Sequence, residues 1–310
     1  MTGRSWLFVP GDSERKQARA LTTAADALIL DLEDSVAPER LAVAREIVVA
    51  TLRARPQRAP QQLWVRVNGV ASRELLADLA AVVRAAPDGI VVPKLSSVEQ
   101  IIEAHHYLTA LEHREGLARG STKILVIATE TARAVLGLER FAAACRAPAS
   151  EAPERAAQWA QRLTALTWGS EDLGVEVGAL EKREPDGAPT PVFELARALC
   201  LVGAAAAGVP AIDAVHVDFR DRKGLARELE RARRDGFAGK LAIHPDQVDA
   251  INAAFTPSDA EIAHARRIVA AFEGTAHIGV TSLDGQMIDR PHLVRAKRLL
   301  ETAAARRRDS

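Results

Sequence analysis

The chain repeats one pattern along most of its length: a short apolar run, rich in β-branched residues, and then a segment with helical periodicity. The runs are mostly apolar rather than alternating, which is typical of parallel strands covered on both faces. Eight such runs occur, at residues 5–10, 27–34, 63–68, 89–94, 123–130, 165–172, 211–219 and 240–245. The pattern therefore predicts eight β-then-α units.

Eight units of this kind predict an α/β fold of the (β/α)8 TIM-barrel class. The alternative is an open doubly wound sheet, which is disfavoured because no GxGxxG phosphate fingerprint follows the first run. From about residue 256 the repeat gives way to a helix, an irregular stretch and a last helix. We therefore expect a barrel domain over residues 1–275 and a C-terminal extension over 276–310.

Composition limits the partners of this chain. Of its 310 residues, 48% are hydrophobic, and Lys plus Arg and Asp plus Glu both total 41. A near-zero net charge gives no general electrostatic reason to bind nucleic acid or an anionic membrane.

Cys145 and Cys200 have no metal-binding spacing, and no apolar run reaches the roughly 18 residues of a membrane span. We expect a cytoplasmic protein with two buried thiols.

Polar residues close nearly every apolar run. In a barrel the carboxyl ends of the strands meet at one mouth, where active sites are built, although a single polar residue there is equally explained by a strand emerging into solvent. The set as a whole places several carboxylates opposite two cations, which suits a divalent cation and an anionic substrate. The residues are Glu33, Asp34, Arg66, Asn68, Lys94, Glu130, Glu171, Asp172, Asp218 and His244.

Glu130 and Asp172 would end neighbouring strands, so their carboxylates can converge on one ion. Mg²⁺ suits one or two carboxylates with water, whereas zinc calls for His or Cys, and His244 is the only histidine that the pattern places at the mouth. Arg66 is a planar bidentate donor that fits a carboxylate or an oxyanion. A structural ion pair of Arg66 with Glu33 or Asp34 remains an alternative.

Seven stretches together closely resemble the citrate lyase β-subunit-like group of the HpcH/HpaI aldolase superfamily. The likeness covers nearly the whole chain in order, and no single motif carries it. The stretches are RSWLFVPG (4–11), LILDLEDSV (28–36), RVNG (66–69), VPK (92–94), ATETARAVLGL (128–138), WGSEDLGVEVGA (168–179) and the segment 211–262.

The resemblance implies a trimeric or hexameric Mg²⁺-dependent barrel, with Mn²⁺ as an alternative ion. It implies that Glu130 and Asp172 ligate the metal and that Arg66 is catalytic and binds the substrate carboxylate and oxyanion. It also implies that Glu33 and Asp34 hold metal-bound water and orient the arginine. The substrate-binding residues implied in this way are Arg66, Glu33, Asp34 and Gly169.

The tail GQMIDRPHLVRAK (285–297) resembles the malyl-CoA and citramalyl-CoA lyase branch. This implies that Asp289 lies on a lid that closes over a neighbouring subunit's barrel and serves in acid/base chemistry. The implied reaction is reversible Claisen-type cleavage of a 3-hydroxy-dicarboxylic acyl-CoA into an acyl-CoA and a 2-oxo acid. Arg4 and Lys16, near the first strand, are expected to contact CoA phosphates.

Three other functions stay open. They are a citryl-thioester lyase subunit acting on an acyl-carrier protein, a related acyl-CoA thioesterase, and a non-catalytic binding subunit. The segment 145–162 reads as a longer connection than a barrel requires. In run two, strand alternation would place Asp31 and Glu33 on one face and Asp34 on the other, so we expect Asp31 to be structural.

Overall fold

A computed structural model describes residues 3–146, 158–273 and 279–308. Within these residues, eight parallel strands close into a barrel in sequence order, with the first strand paired to the eighth. The open-sheet alternative is therefore wrong. The strands are β1 Ser5–Pro10, β2 Ala27–Asp31, β3 Gln62–Arg66, β4 Gly89–Val92, β5 Lys123–Ile127, β6 Leu163–Thr167, β7 Ala211–Asp213 and β8 Gly239–Ala242.

Helices follow the strands, as the repeat predicts. The described helices of this part are α1 Glu14–Ala20, α2 Leu41–Ala54, α3 Leu75–Val82, α4 Val98–Arg114, α5 Ala132–Arg146, α6 Glu171–Val177, α7 Pro191–Ala207, α8 Arg222–Asp235 and α9 Val248–Ala254. Residues 147–157 of the predicted long connection lie outside the described residues.

Alternate residues of each strand fill the barrel interior, where large side chains from several strands meet. Trp6 and Trp64 pack edge to face with ring centroids 5.1 Å apart. Gly89 makes this arrangement sterically feasible, since a Cβ atom at that position would lie 2.2 Å from Cζ3 of Trp64. The interior is thus a packed core, and the chemistry is confined to the strand ends.

The amino end of the barrel contains a buried ionic cluster. Arg162, just before β6, places Nη1 2.7 Å and Nη2 2.6 Å from the two carboxylate oxygens of Glu112. The same carboxylate accepts backbone N–H groups of Gly120 at 2.8 Å and Thr122 at 2.9 Å. His105 Nδ1 accepts a hydrogen bond from Arg162 Nε at 3.0 Å. Every charge in this cluster therefore has partners.

The described residues divide into two compact units, one within residues 2–252 and the other within 253–310. The second contains α10 Asp259–Glu273, the antiparallel pair β9 Val280–Leu283 and β10 Gln286–Asp289, and α11 Arg290–Arg308. Its small core is formed by Ala265, Ile268, Ile288 and Ala296. The boundary at residue 275 and the lid role of the extension stay predictions.

None of the helices that the structure describes combines the length and the apolar character that crossing a bilayer requires.

Candidate active site

Charged side chains from five consecutive strands meet at the carboxyl end of the barrel. Asp31 and Arg66 are the last residues of β2 and β3. Lys94 and Glu130 follow β4 and β5 by two and three residues, and Asp172 lies in the first turn of α6. The polar cluster expected at the mouth is therefore formed.

Arg66 is held rigidly by Asp31. The two residues are register partners on adjacent strands, and Nε and Nη2 of Arg66 donate to the two carboxylate oxygens of Asp31, each at 2.7 Å. The guanidinium carbon also lies 4.8 Å from the Phe8 ring centroid. Although burial alone would raise it, the pKa of Asp31 is lowered by the hydrogen bonds and charge of Arg66. This bidentate pair fixes the plane of the guanidinium.

The interpretation of Asp31 as a structural residue and of Glu33 and Asp34 as the residues that orient Arg66 therefore needs correction. Alternation ends with the strand at Asp31, and the chain turns immediately, so Glu33 N–H donates back to Asp31 Oδ1 at 3.0 Å. Glu33 Oε2 lies 2.9 Å from Arg66 Nη1, but Asp34 Oδ2 is 3.8 Å away. Asp31 is the main orienting partner, and Glu33 assists it.

Lys94 is the second cation of the cluster. Its Nζ lies 2.9 Å from Glu33 Oε1, 2.7 Å from Asp34 Oδ1 and 3.6 Å from Asp172 Oδ1. Its backbone has φ of 52°, a left-handed conformation that non-glycine residues rarely adopt. The side chain thus occupies the centre of the acidic residues, which the sequence indicated only by placing Lys94 at the mouth.

Glu130 is the least neutralised carboxylate of the cluster. Its side chain is buried, with the residue 4% exposed, and Oε2 accepts the backbone N–H of Lys94 at 2.5 Å. Burial, with the negative charges of Glu33 and Asp172, raises its pKa to about 8. Burial likewise raises the pKa of Glu33. Carboxylates crowded in this way favour a bound cation.

Gly169 leaves room for the Glu130 side chain. A Cβ atom at position 169 would lie 2.7 Å from Cγ of Glu130 and 3.2 Å from Cγ2 of Ile127. The backbone N–H of Gly169 donates to Thr129 Oγ1 at 3.2 Å, which holds the segment before Asp172 against β5. Glycine is therefore required next to Glu130, whether or not it contacts substrate.

The donor set fits Mg²⁺ better than a transition metal. Glu130 and Asp172 supply oxygen ligands, and the Asp172 side chain is 36% exposed, which leaves space for water and substrate oxygens. No group of three or more His, Cys, Asp or Glu residues suited to a metal occurs in residues 3–146, 158–273 and 279–308. His244 is stacked on Phe219 with centroids 4.5 Å apart and caps the turn at 245–247.

A cleft of about 490 Å³ opens beside the cluster, between the segments that follow β2 and β3. Glu33, Asp34 and Lys94 form one side, and Asn68 and Gly69 lie on the other. Asn68 is fixed by hydrogen bonds of 2.9 Å to the Leu32 carbonyl and 2.8 Å to Asp78. The cleft gives a substrate direct access to Lys94.

Three predicted site residues are not part of this cluster. Arg4 precedes β1 at the amino end of the barrel, where its Nε and Nη2 donate to Asp26 at 2.9 and 2.7 Å. Lys16 lies on α1, which follows β1 at the mouth side, and is exposed. Asp289 ends β10 in the second compact unit and pairs with His292 at 2.5 Å. Their proposed roles stay predictions.

Sequence comparison agrees with this geometry. A sequence model of the HpcH/HpaI aldolase/citrate lyase family matches residues 4–245, and one described as a C-C bond lyase of the TIM-barrel fold matches residues 189–306. The chain belongs to the HpcH/HpaI aldolase/citrate lyase family. The predicted family, the barrel fold and the assignment to a class of carbon–carbon lyases are thereby confirmed.

Two relatives of this chain in the HpcH/HpaI family have names that describe different activities. A (3S)-malyl-CoA thioesterase of Cereibacter sphaeroides (strain KD131 / KCTC 12085) is 34% identical over 304 residues, which cover 97% of this chain and 95% of the relative. The citrate lyase subunit beta of Escherichia coli (strain K12) is 32% identical over 304 residues, covering 97% and 93%.

A solved structure in the same family superposes over almost the whole chain. It is CitE from Mycobacterium tuberculosis in complex with magnesium, acetoacetate and coenzyme A, with a TM-score of 0.77 and 32% identity. The match covers 97% of this chain and 98% of the other.

Proposed function

We propose that this chain is a Mg²⁺-dependent lyase that cleaves a 3-hydroxy-dicarboxylic acyl-CoA, such as malyl-, methylmalyl- or citramalyl-CoA, into an acyl-CoA and a 2-oxo acid. The observation that carries the proposal is the crowded pair of Glu130 and Asp172 beside the fixed guanidinium of Arg66. Family membership, together with a neighbour bound to magnesium, acetoacetate and coenzyme A, supports this choice of chemistry.

Glu130 and Asp172 would hold the ion, with Mn²⁺ as an alternative to Mg²⁺. When bound, the ion supplies Lewis acidity towards the carbonyl and carboxylate oxygens of the 2-oxo acid. Glu33 lies next to both Lys94 and Arg66, so it is suited to orient water and substrate at this position.

Arg66 would stabilise negative charge on substrate oxygens, including the oxygen of the thioester enolate. Asp31 positions Arg66 for this role, because the two hydrogen bonds at 2.7 Å leave the guanidinium little rotational freedom. A donor that is already oriented does not have to reorganise as charge develops, and that is the main source of electrostatic catalysis.

Asp289 is proposed to move the proton at the acyl α-carbon, acting on the barrel of a neighbouring subunit in a homotrimer or hexamer. The hydrogen bond from His292 lowers the pKa of Asp289, so this carboxylate is ionised at neutral pH. An ionised carboxylate is a weak base towards a thioester α-proton. Closure of the extension as a lid, with loss of water, would raise its basicity.

The acyl-CoA arm is proposed to enter through the cleft beside Lys94. Its volume of about 490 Å³ is within the range of small-molecule sites. Lys16 on α1 is proposed to contact a CoA phosphate, as an exposed ammonium on the mouth side of the barrel.

The test is to incubate the protein and Mg²⁺ with malyl-, methylmalyl-, citramalyl- and citryl-CoA and to identify the products by mass spectrometry. Lyase activity gives an acyl-CoA and a 2-oxo acid, and Asp172→Ala should abolish it. Glu171→Gln is the matched control, since Glu171 is the exposed neighbour of Asp172 and pairs with Lys182. If none of the four thioesters is cleaved, the proposal fails.

A second candidate is thioester hydrolysis, which the 34% identical malyl-CoA thioesterase favours. The same assay separates the two, because hydrolysis yields free CoA and the intact hydroxy acid. The 32% identical citrate lyase subunit beta favours a carrier-protein version, which predicts activity only on a carrier-bound citryl thioester. A non-catalytic binding subunit would show no turnover in any of these assays.

A further inference from the structure

A second cavity lies outside the barrel mouth. It has a volume of about 250 Å³ and lies beside the register partners Asp213 of β7 and Lys240 of β8, the first turns of α8 and the segment 183–189. Asp213 and Lys240, which line it, alternate along their strands with the core residues Ile212 and Leu241, so they point away from the barrel interior. The cavity shares no residue with the cluster of Asp31, Arg66, Lys94, Glu130 and Asp172.

About half of the residues that line the cavity are charged, and one of the cations has no ion pair within the described part of the chain. Five of its described lining residues are cationic and four are carboxylates. Lys240 Nζ lies 2.8 Å from Asp213 and 3.0 Å from Glu228, and Arg183 lies 2.6 Å from Glu228. Arg197 and Arg231 both pair with Asp235, at 2.7 and 3.8 Å.

Arg227, on the exposed side of α8, also lines the cavity. It is the lining cation for which the described part of the chain supplies no ion pair. An unpaired guanidinium at the opening of a buried ionic network is available to a negative group of a ligand.

His216 adds a polar atom that lacks a partner. Its side chain is 8% exposed, and Nδ1 lies 3.0 Å from Glu228 Oε1. Although burial alone would raise it, the pKa of Glu228 is held at about 2 by the His216 hydrogen bond and by Lys240 and Arg183. In a neutral imidazole, donation from Nδ1 to this carboxylate leaves Nε2 as a hydrogen-bond acceptor.

Nε2 of His216 is buried and has no hydrogen-bond partner within residues 3–146, 158–273 and 279–308. A buried acceptor without a donor is costly, so an O–H group at this position would be favourable. The sequence pattern predicted one histidine at the mouth, His244, and did not indicate His216. The reason is that β7 ends at Asp213 and His216 follows in an irregular segment.

We propose that this cavity binds a small hydroxycarboxylate, with Arg227 pairing to a carboxylate group and His216 Nε2 accepting the ligand hydroxyl. The space is adequate for such a molecule, because 250 Å³ corresponds to the share of about eight waters in the liquid. Arg227 selects ligands that carry a negative charge, and His216 Nε2 selects ligands that carry a hydrogen-bond donor.

The experiment is calorimetric titration of the metal-free protein with malate and with succinate, which differ only in the hydroxyl group. Malate should bind the wild type at millimolar concentrations, and succinate should bind at least about tenfold more weakly, because it leaves Nε2 unpaired. Arg227→Gln should weaken malate binding by about tenfold or more.

Two matched variants assign the signal to the cavity. Arg234→Gln removes an exposed cation, with a side chain 70% exposed on the same helix, and should leave malate binding unchanged. Arg66→Gln disables the mouth, so the malate binding that this variant retains is the part that belongs to the cavity. The proposal is overturned if malate does not bind, if succinate binds equally well, or if Arg66→Gln abolishes binding that Arg227→Gln retains. None of these outcomes depends on whether the mouth has lyase activity.

Discussion

Each end of the barrel buries a glutamate, and the pKa values of the two carboxyl groups are shifted in opposite directions. At the amino end, burial would raise the pKa of Glu112, but Arg162 and the backbone N–H groups of Thr122 and Gly120 hold it at about 2. At the carboxyl end, burial and neighbouring carboxylates raise the pKa of Glu130 to about 8. The same type of side chain is thus paired with an arginine at one end, whereas at the other end it makes no ion pair within the described residues.

This difference separates a stabilising site from a reactive one. Arg162 makes hydrogen bonds to His105 and Glu112, and the carboxylate of Glu112 balances its charge without a bound ligand. Glu130 has one backbone donor and lies among like charges, which is costly unless a ligand supplies positive charge. A carboxylate left unneutralised is a mark of function, because the fold alone gains nothing from it.

The largest expected effect is the loss of activity on removing a mouth carboxylate. Glu130→Gln and Asp172→Ala should each lower kcat/KM by about 10³-fold or more, since Lewis-acid stabilisation contributes several kcal/mol. Steady-state kinetics and Mg²⁺ calorimetry check this together. Retention of both activity and Mg²⁺ affinity in Asp172→Ala would contradict the site assignment.

Breaking the amino-end pair should affect stability alone. Glu112→Ala leaves Arg162 buried without its carboxylate, which should cost about 3–5 kcal/mol of unfolding free energy. Chemical denaturation measures this change, and kcat of the folded fraction should be unchanged. Glu103→Ala on the same helix is the control, because Glu103 is exposed and contacts only Tyr107 in the described structure.

The two ends should also respond oppositely to pH in metal-free protein. Glu130, raised from 4.5 to about 8, makes a contribution to stability that is present below pH 4.5 and is lost as pH rises towards 8, on the order of a few kcal/mol. Glu112, lowered to about 2, makes one that is present above pH 4.5 and is lost as pH falls towards 2. Thermal melts across this range measure both limbs.

Two variants make the pH comparison decisive. Glu130→Gln should remove the loss of stability above pH 4.5, and Glu112→Gln should remove the loss below it. Added Mg²⁺ should restore the stability of the wild type near pH 8 by neutralising the mouth. An unchanged pH profile in Glu130→Gln would show that Glu130 is not the titrating group.

The smallest effect concerns the residue that orients Arg66. Asp31→Asn should lower kcat/KM by about 10–100-fold, as expected for loss of an orienting partner next to a functional group. Mg²⁺ affinity should change less than kcat. Asp12→Asn is the matched control, since Asp12 makes an exposed pair with Arg40 at 3.1 Å and such pairs contribute little.

The fold was predictable because its signal is repeated eight times. β1 has the predicted bounds, residues 5–10, and every other strand begins within two residues of the predicted start. Strand ends were predicted too late, most clearly at β7, which stops at Asp213 instead of residue 219. Polar and apolar residues continue past each strand into the mouth, so composition alone does not mark where regular pairing stops.

The candidate site was predictable in its members but not in its contacts. Glu33, Arg66, Lys94 and Glu130 follow from their positions at strand ends, but the importance of Asp31 follows from register, which places it opposite Arg66. Register depends on how strands pair across the barrel, and local sequence does not encode it directly. Alternation also failed at Asp31, because the strand ends there.

The backbone conformation of Lys94 and the ion pairs of its side chain have opposite effects on stability. Its left-handed conformation, with φ of 52°, costs a non-glycine residue about 1–2 kcal/mol. Glycine at position 94 would relieve that strain and also remove the ammonium that lies 2.9 Å from Glu33 and 2.7 Å from Asp34. Because losing that ammonium takes an ion-pair partner from the buried Glu33 carboxylate, a library selected only for thermal tolerance should retain Lys94 in spite of its backbone strain.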